Sequence, residues 1–457
     1  MKSFSDLGLE PRFSNLLLSR SIKEPSAIQE IVIPKILEGR NIIFSSATGT
    51  GKTFAYLLPI LQKIDSRIPV YEGEASPPLR TCGSPLPPLQ GLAPPNPQVF
   101  HEEKSSTPKI YEPKAQALIL SPTIELASQI KHEVDFLLSR PENTLNSILI
   151  VGSASKEKQI DAIKKKKGNF ISGNASRILQ LIHEKKARFD NIRYVILDEA
   201  DRLLSDEMFD QTKELLSYIN RHRSARTKDR SAEERGGALP RRALSYQLIA
   251  CSATIPEKTK EKIARLFDSG PPDDLVFVSS HTRDILQNYI SHWVIWGGER
   301  EKLKSLSSFL SVVHAKRVLV FADRVEEVHK TAGFLQSHKV KAAALYSGMD
   351  KKERKDALEK FRSGSIEVLV SSDIAARGLD VPDIKYVVSL GAPKEADVYV
   401  HRAGRTGRAG KKGIIVSIGS ESELLRLASL EKKLGIAMCP KILYQGCLLD
   451  PEEFESI

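Results

Sequence analysis

Short apolar runs bounded by polar turns recur along the chain and set its architecture. Asn41-Ile42-Ile43-Phe44 reads as a buried strand, and Ala115-Gln116-Ala117-Leu118-Ile119-Leu120 as another. Further strands are predicted at residues 147–151, 169–172, 193–197 and 246–251, with helical patterns between several of them. Strands that alternate with helices predict a parallel sheet covered by helices on both faces. Residues 1–40 read as helical with an early turn; one helix there begins at Pro25-Ser26-Ala27-Ile28-Gln29, with Pro25 near its start. Another helix begins near Pro256. Residues 279–288 carry few apolar side chains and read as a linker. The alternation then restarts, with strands at 317–321, 341–345, 366–371, 385–390 and 412–418, and the tail adds a strand and a helix. The pattern predicts an α/β protein of two tandem domains, residues 1–280 and 289–457, each a mainly parallel sheet with helices on both faces.

Two stretches interrupt the first domain. Residues 66–113 hold eleven of the chain's 25 prolines. Proline removes backbone donors and fixes φ, so this insertion reads as a solvated surface excursion. Its Pro85-Leu86-Pro87-Pro88 also suits an aromatic groove on a protein partner. Residues 221–242 set eight basic side chains against three acidic ones, almost half of the chain's net +11. That composition predicts a disordered basic loop able to hold a polyanion loosely. The run 164–167 reads as a solvated helix end, with direct RNA contact as the sharper alternative.

At 457 residues the chain exceeds one ordinary core, and its positive charge favours a polyanionic partner. The four cysteines, Cys82, Cys251, Cys439 and Cys447, have neither zinc-ligand nor disulfide-framework spacing. No segment has the roughly 18 apolar residues of a membrane helix, and Met1 to Asp6 lacks a signal-peptide core. The expectation is a cytoplasmic monomer without membrane attachment.

The chemistry begins after the first strand, at Ser46-Ala47-Thr48-Gly49-Thr50-Gly51-Lys52-Thr53. A glycine-bearing loop between strand and helix lets backbone amides approach phosphate oxygens. Lys52 adds charge for the outer phosphates, and Thr53 a hydroxyl for Mg²⁺. A plain turn ahead of a helix does not account for the Gly-Lys-Thr ending and its flanks. Asp198-Glu199-Ala200-Asp201 follows a strand, at the sheet edge where ligands bind. There Asp198 suits the metal, and Glu199 suits orienting or deprotonating an attacking water. Gln29 reads either as a surface amide or as a donor–acceptor pair for an adenine edge. The second domain has no phosphate loop. It has Ser371 to Asp380 and Tyr399 to Arg408, the latter with glycine-spaced arginines that suit bidentate contacts to phosphate. A domain that donates arginines to a nucleotide held by another makes a site complete only on closure.

These stretches, in this order, resemble the motifs of the DEAD-box family of ATP-dependent RNA helicases, over residues 4 to about 410. The resemblance implies two RecA-like domains, ATP and Mg²⁺ as ligands, and single-stranded or short duplex RNA as the partner. It implies that Gln29, with Phe4 upstream, selects adenine, that residues 46–53 hold the phosphates, and that Gly378 and Asp380 lie at the nucleotide, Asp380 at the ribose. It makes Arg405 and Arg408 the arginine fingers. It assigns Pro122, Thr123, Gly152, Arg177, Arg354 and Ser372 to RNA, and Ser252, Thr254, Asp201 and His401 to coupling between the domains.

Departures from the family pattern gather on the RNA side. Ile124 replaces an arginine in Pro122-Thr123-Ile124-Glu125-Leu126-Ala127. Asn174-Ala175-Ser176-Arg177 keeps only the arginine of its motif, Gly152-Ser153 one glycine of two, and Lys351 heads Lys351-Lys352-Glu353-Arg354. On the nucleotide side Ile22 stands where an aromatic usually covers adenine. The expectation is an RNA-stimulated ATPase that locally unwinds short duplexes, with an altered RNA grip in its first domain. An ATP-gated RNA clamp with little unwinding and a DNA-acting motor of the same superfamily are the rivals.

Overall fold

The computed structural model describes residues 2–46, 49–65, 115–139, 145–166, 168–231, 245–267, 271–272, 274–279, 282–376, 384–407 and 411–456. The proline-rich insertion 66–113 lies outside these residues, as do Ala47, Thr48, Gly378, Asp380 and Arg408 among the candidate site residues.

Seven strands form the first sheet: β1 (Ile42–Ser45), β2 (Ala117–Leu120), β3 (Ser147–Ile150), β4 (Phe170–Gly173), β5 (Tyr194–Asp198), β6 (Gln247–Ser252) and β7 (Val276–Ser279). Their order is β3-β4-β2-β5-β6-β1-β7, and every pairing is parallel. Alternate residues enter cores on opposite faces. Ile42 and Phe44 pack with the helices Pro11–Leu18, Ala27–Leu37, Lys52–Asp65 and Ile124–Leu137, whereas Ile43 packs with Ala175–His183 and Phe209–Ser231. A strand buried on both faces must be apolar throughout, which is why these strands are legible as continuous apolar runs.

The second sheet has eight strands: β8 (Ile290–Trp296), β9 (Val318–Phe321), β10 (Ala342–Leu345), β11 (Val368–Ser371), β12 (Tyr386–Leu390), β13 (Gly413–Gly419), β14 (Met438–Tyr444) and β15 (Cys447–Leu449). The order is β10-β11-β9-β12-β13-β8-β14-β15, parallel except for the last pair. Leu319 and Phe321 enter one core, Val318 and Val320 the other.

Three stretches differ from expectation. The basic stretch from 221 is not a loop at its start: the helix Phe209–Ser231 carries through it. Residues 221–231 contain neither proline nor glycine, and Arg and Lys are good helix formers, so composition there predicts solvation and not conformation. Residues 279–288 lie between the two sheets, as a linker does, but most of them are helical: the helix Thr282–Tyr289, anchored by buried Leu286, begins there and runs straight into β8. The tail holds more than one strand and one helix, because β14 and β15 form a hairpin that extends the second sheet, followed by Pro451–Glu455. Among the described residues no helix is long and apolar enough to cross a membrane.

Candidate active site

The candidate residues of the first sheet gather at the C-terminal ends of its strands, the edge that open parallel sheets use for ligands. β1 ends at Ser45, and the next helix opens at Lys52. Between them Gly51 has φ +86°, and a Cβ there would stand 2.4 Å from Gln29 Nε2. The contact is that close because Gln29 holds the loop. Its Nε2 donates to Gly51 O at 3.0 Å, and its Oε1 accepts from Ser26 N at 2.9 Å. Ser26 Oγ donates to Thr50 O at 2.7 Å, so the cap of helix Ala27–Leu37 clamps the loop. Gln29 is therefore buried and is not a surface amide. Phe4 is buried as well, within the core beneath helices Pro11–Leu18 and Ala27–Leu37. Ile22 packs half-buried against the same core.

Ser46 links this loop to β6: its N–H donates to Ser252 O at 3.1 Å, and its hydroxyl meets Thr50 Oγ1 at 2.7 Å. Lys52 Nζ donates to Ser46 O at 2.6 Å. Burial lowers the pKa of this ammonium; the carboxylates of Asp198 and Glu199 oppose the fall, and the Arg405 charge adds to it. Arg405 belongs to the second sheet's unit, so two cations from different units converge on one place.

Asp198 ends β5 and is 5% exposed. Tyr56 Oη donates to its Oδ2 at 2.8 Å and Cys251 Sγ to its Oδ1 at 3.1 Å. Burial, with the Asp198 charge added, raises the pKa of both donors, so each keeps its proton. Neither Tyr56 nor Cys251 was singled out from the sequence. The signal was a polar tip in each of two otherwise apolar runs. Glu199 N–H also donates to Asp198 Oδ1, at 2.9 Å. Glu199 itself adopts φ 53°, ψ 53°, a left-handed backbone that costs a non-glycine residue about 1–2 kcal/mol and turns the chain into helix Ala200–Leu203.

Within the first unit Ser252 Oγ donates to Asp201 Oδ1 at 2.6 Å, and from the second unit His401 Nε2 lies 3.7 Å from Asp201 Oδ2. Thr254 lies near Asp397, whose carboxyl is pushed above its usual range by burial, with the Asp201 charge adding to the rise. All four coupling candidates thus meet at one junction. Arg405 is buried beside it, its Nε donating to His401 O at 3.4 Å. Arg402 is locked into its own unit by Asp373, Asp323 and Ser389.

A second group lies further along the same edge. Thr123 caps helix Ile124–Leu137, accepting from Leu126 N at 3.2 Å. Arg177 donates to Gly152 O at 2.6 Å. A Cβ on Gly152 would meet nothing within 4 Å, so packing does not require glycine there. From the second unit, Arg354 reaches Glu125 at 2.7 Å and donates to Ala375 O at 2.9 Å. Ser372 is buried at the end of β11, and its Oγ has no hydrogen-bond partner among the described residues. The structure thus brings Pro122, Thr123, Gly152 and Arg177 to one edge and sets Arg354 against it.

Family models match each of the two units. The DEAD/DEAH box helicase family model matches residues 26–263, and that of the helicase conserved C-terminal domain matches 301–410. The DEAD-box ATP-dependent RNA helicase CshC of Bacillus cereus is 30% identical over 444 residues, covering 97% of this chain and 94% of that protein. The DEAD-box ATP-dependent RNA helicase RhpA of Helicobacter pylori is 28% identical over 432 residues, 94% of this chain and 72% of that protein. In fold, the chain is similar to S. cerevisiae Dbp5 bound to RNA and ADP BeF3, with a TM-score of 0.72, 23% identity, and coverage of 100% of this chain and 98% of that one.

Proposed function

The chain belongs to the DEAD-box family of ATP-dependent RNA helicases, enzymes that hydrolyse ATP, and from that premise we propose how its two units divide the work. The first holds ATP on the loop 46–53, with Gln29 behind it. The second supplies Arg405 and Arg408 to the outer phosphates. The observation that carries this reading is the approach of His401 to within 3.7 Å of Asp201, which brings Arg405, hydrogen-bonded to His401 O, beside the acidic motif that follows β5. A cation held that way in a buried site attracts a polyphosphate strongly.

The residues also fit magnesium, since the buried Asp198 carboxylate and the Thr53 hydroxyl are the hard oxygen donors it takes. When bound, the ion neutralises charge that builds on the phosphates. Glu199, set by its turned backbone, orients the attacking water and takes its proton. Asp380 and Gly378 complete the nucleotide site from the second unit.

RNA lies along the neighbouring edge, over Pro122, Thr123, Gly152 and Arg177 of the first unit and Arg354 and Ser372 of the second. The open space at Gly152 suits close approach of a sugar–phosphate backbone. The grip is altered in the first unit: Ile124 is 37% exposed on this edge, an apolar side chain with little packing to do. RNA and ATP each favour closure, so each raises the affinity for the other. Glu125 and Arg354 lie across the closed interface, between the two halves of the RNA surface.

The test is the ATPase rate with and without RNA, at two salt concentrations. We expect RNA stimulation that weakens with salt. Equal rates with and without RNA overturn the reading, and equal stimulation by single-stranded DNA overturns the choice of RNA. Displacement of a short duplex separates unwinding from clamping.

A further inference from the structure

The carboxylate that ends β5 is gripped by two side chains that touch neither phosphate nor RNA in the reading above. We propose that Tyr56 and Cys251 are positioning residues that fix the Asp198 carboxylate, and its register with Thr53, for the divalent cation. The proposal rests on that reading's assignment of Asp198 and Thr53 to the metal.

The geometry is specific. Tyr56 lies three residues after Thr53 on helix Lys52–Asp65, so the two share a face. Its fully buried phenol donates to Asp198 Oδ2 at 2.8 Å. The same side chain stands one turn along the helix from the Thr53 hydroxyl. Cys251 stands opposite Asp198 in the β5–β6 register and opposite Phe44 in the β1–β6 register. Its thiol, also fully buried, donates to Asp198 Oδ1 at 3.1 Å. One oxygen is thus held from the helix below the phosphate loop and the other from the adjoining strand. The terminal torsion of an aspartate is broad and two-fold, so an unheld carboxylate samples many orientations. Tyr56 on Oδ2, and Cys251 together with the Glu199 N–H on Oδ1, remove that freedom and leave a lone pair of Oδ2 for the cation. Groups that orient a metal's ligands typically alter metal affinity by about 10–100-fold when removed.

The test uses the full chain and reads the Mg²⁺ concentration at half-maximal binding of a fluorescent ADP analogue, together with its affinity in EDTA. Tyr56→Phe keeps the ring and removes the donor. We expect the Mg²⁺ midpoint to rise about tenfold while the EDTA affinity stays within about twofold. Cys251→Ala shifts the midpoint the same way, and Cys251→Ser, which keeps a donor, restores it. A purely structural role lowers the melting temperature and leaves the Mg²⁺ midpoint where it was. An unchanged midpoint in both Tyr56→Phe and Cys251→Ala overturns the proposal. Should Tyr56→Phe not fold, the Ala and Ser variants at Cys251 decide it. Loss of all Mg²⁺ dependence in the unaltered protein overturns the assignment of Asp198 to the metal instead, so the two failures are distinguishable.

Discussion

Arg354 Nε lies 2.7 Å from Glu125 Oε1, an ion pair that joins the helix after β10 to the helix after β2. The side chains are 15% and 33% exposed, so water screens the pair only in part. It forms only when the two units meet, which makes it a reporter of closure.

Glu125→Gln is expected to reduce the closed population, and a double-mutant cycle with Arg354→Gln is expected to give a coupling of about 1 kcal/mol that shrinks with salt. Fluorescence transfer between one label on each unit measures it. A coupling of zero means that the pair contributes nothing to closure.

Arg405 is buried beside His401, and its charge acts on Lys52 of the first unit. Arg405→Ala is expected to lower RNA-stimulated kcat by on the order of 10³–10⁵, with nucleotide affinity of the first unit much less affected. Glu199→Gln is expected to accumulate a long-lived complex with ATP and RNA. Steady-state rates and RNA dissociation in ATP check the two, and fast turnover by the Glu199 variant places the handling of water on another residue.

Ile124 is exposed beside Thr123 and Glu125. Ile124→Arg is expected to tighten RNA binding and to steepen its salt dependence by about one unit of slope, with the ATP requirement unchanged. Titrations at three salt concentrations read both, and no change in either means that this position does not face RNA.

Asp397 has its carboxyl pushed above the ordinary value of 3.8, by burial first and by Asp201 as well, with Lys433 opposing. For an acid raised in the folded, closed form, ionisation opposes that form. Its contribution is therefore unfavourable above the raised pKa and is relieved as pH falls towards 3.8. Asp397→Asn is expected to favour closure at pH 7 and to remove the gain that acidification gives this junction. Fluorescence transfer at pH 7 and pH 5 measures it. Weaker closure in the Asn variant means that the charge itself serves Thr254.

Legibility in the sequence followed the physics of each part. β1, β2 and β5 were readable because a strand buried on both faces is apolar at every position. The edge strand β7, which pairs with β1 alone, was not singled out although Val276-Phe277-Val278 is apolar. The hairpin β14–β15 was missed because its strands are mostly exposed or half-buried, and so lack a continuous apolar signal. The helix through 221–231 was missed because a net charge says how a segment is solvated and little about its φ and ψ.

By itself, the sequence determined the phosphate loop, the acidic pair after β5 and the glycine-spaced arginines, because each is a local pattern whose chemistry depends on neighbours in the chain. Only the tertiary structure decided that Gln29 clamps Gly51, that Tyr56 and Cys251 hold Asp198, and that Arg354 meets Glu125. Those partners stand 22 to 229 residues apart. Such contacts depend on strand order and on the packing of one unit against the other, and no local pattern of apolar and polar positions encodes which distant atoms will touch.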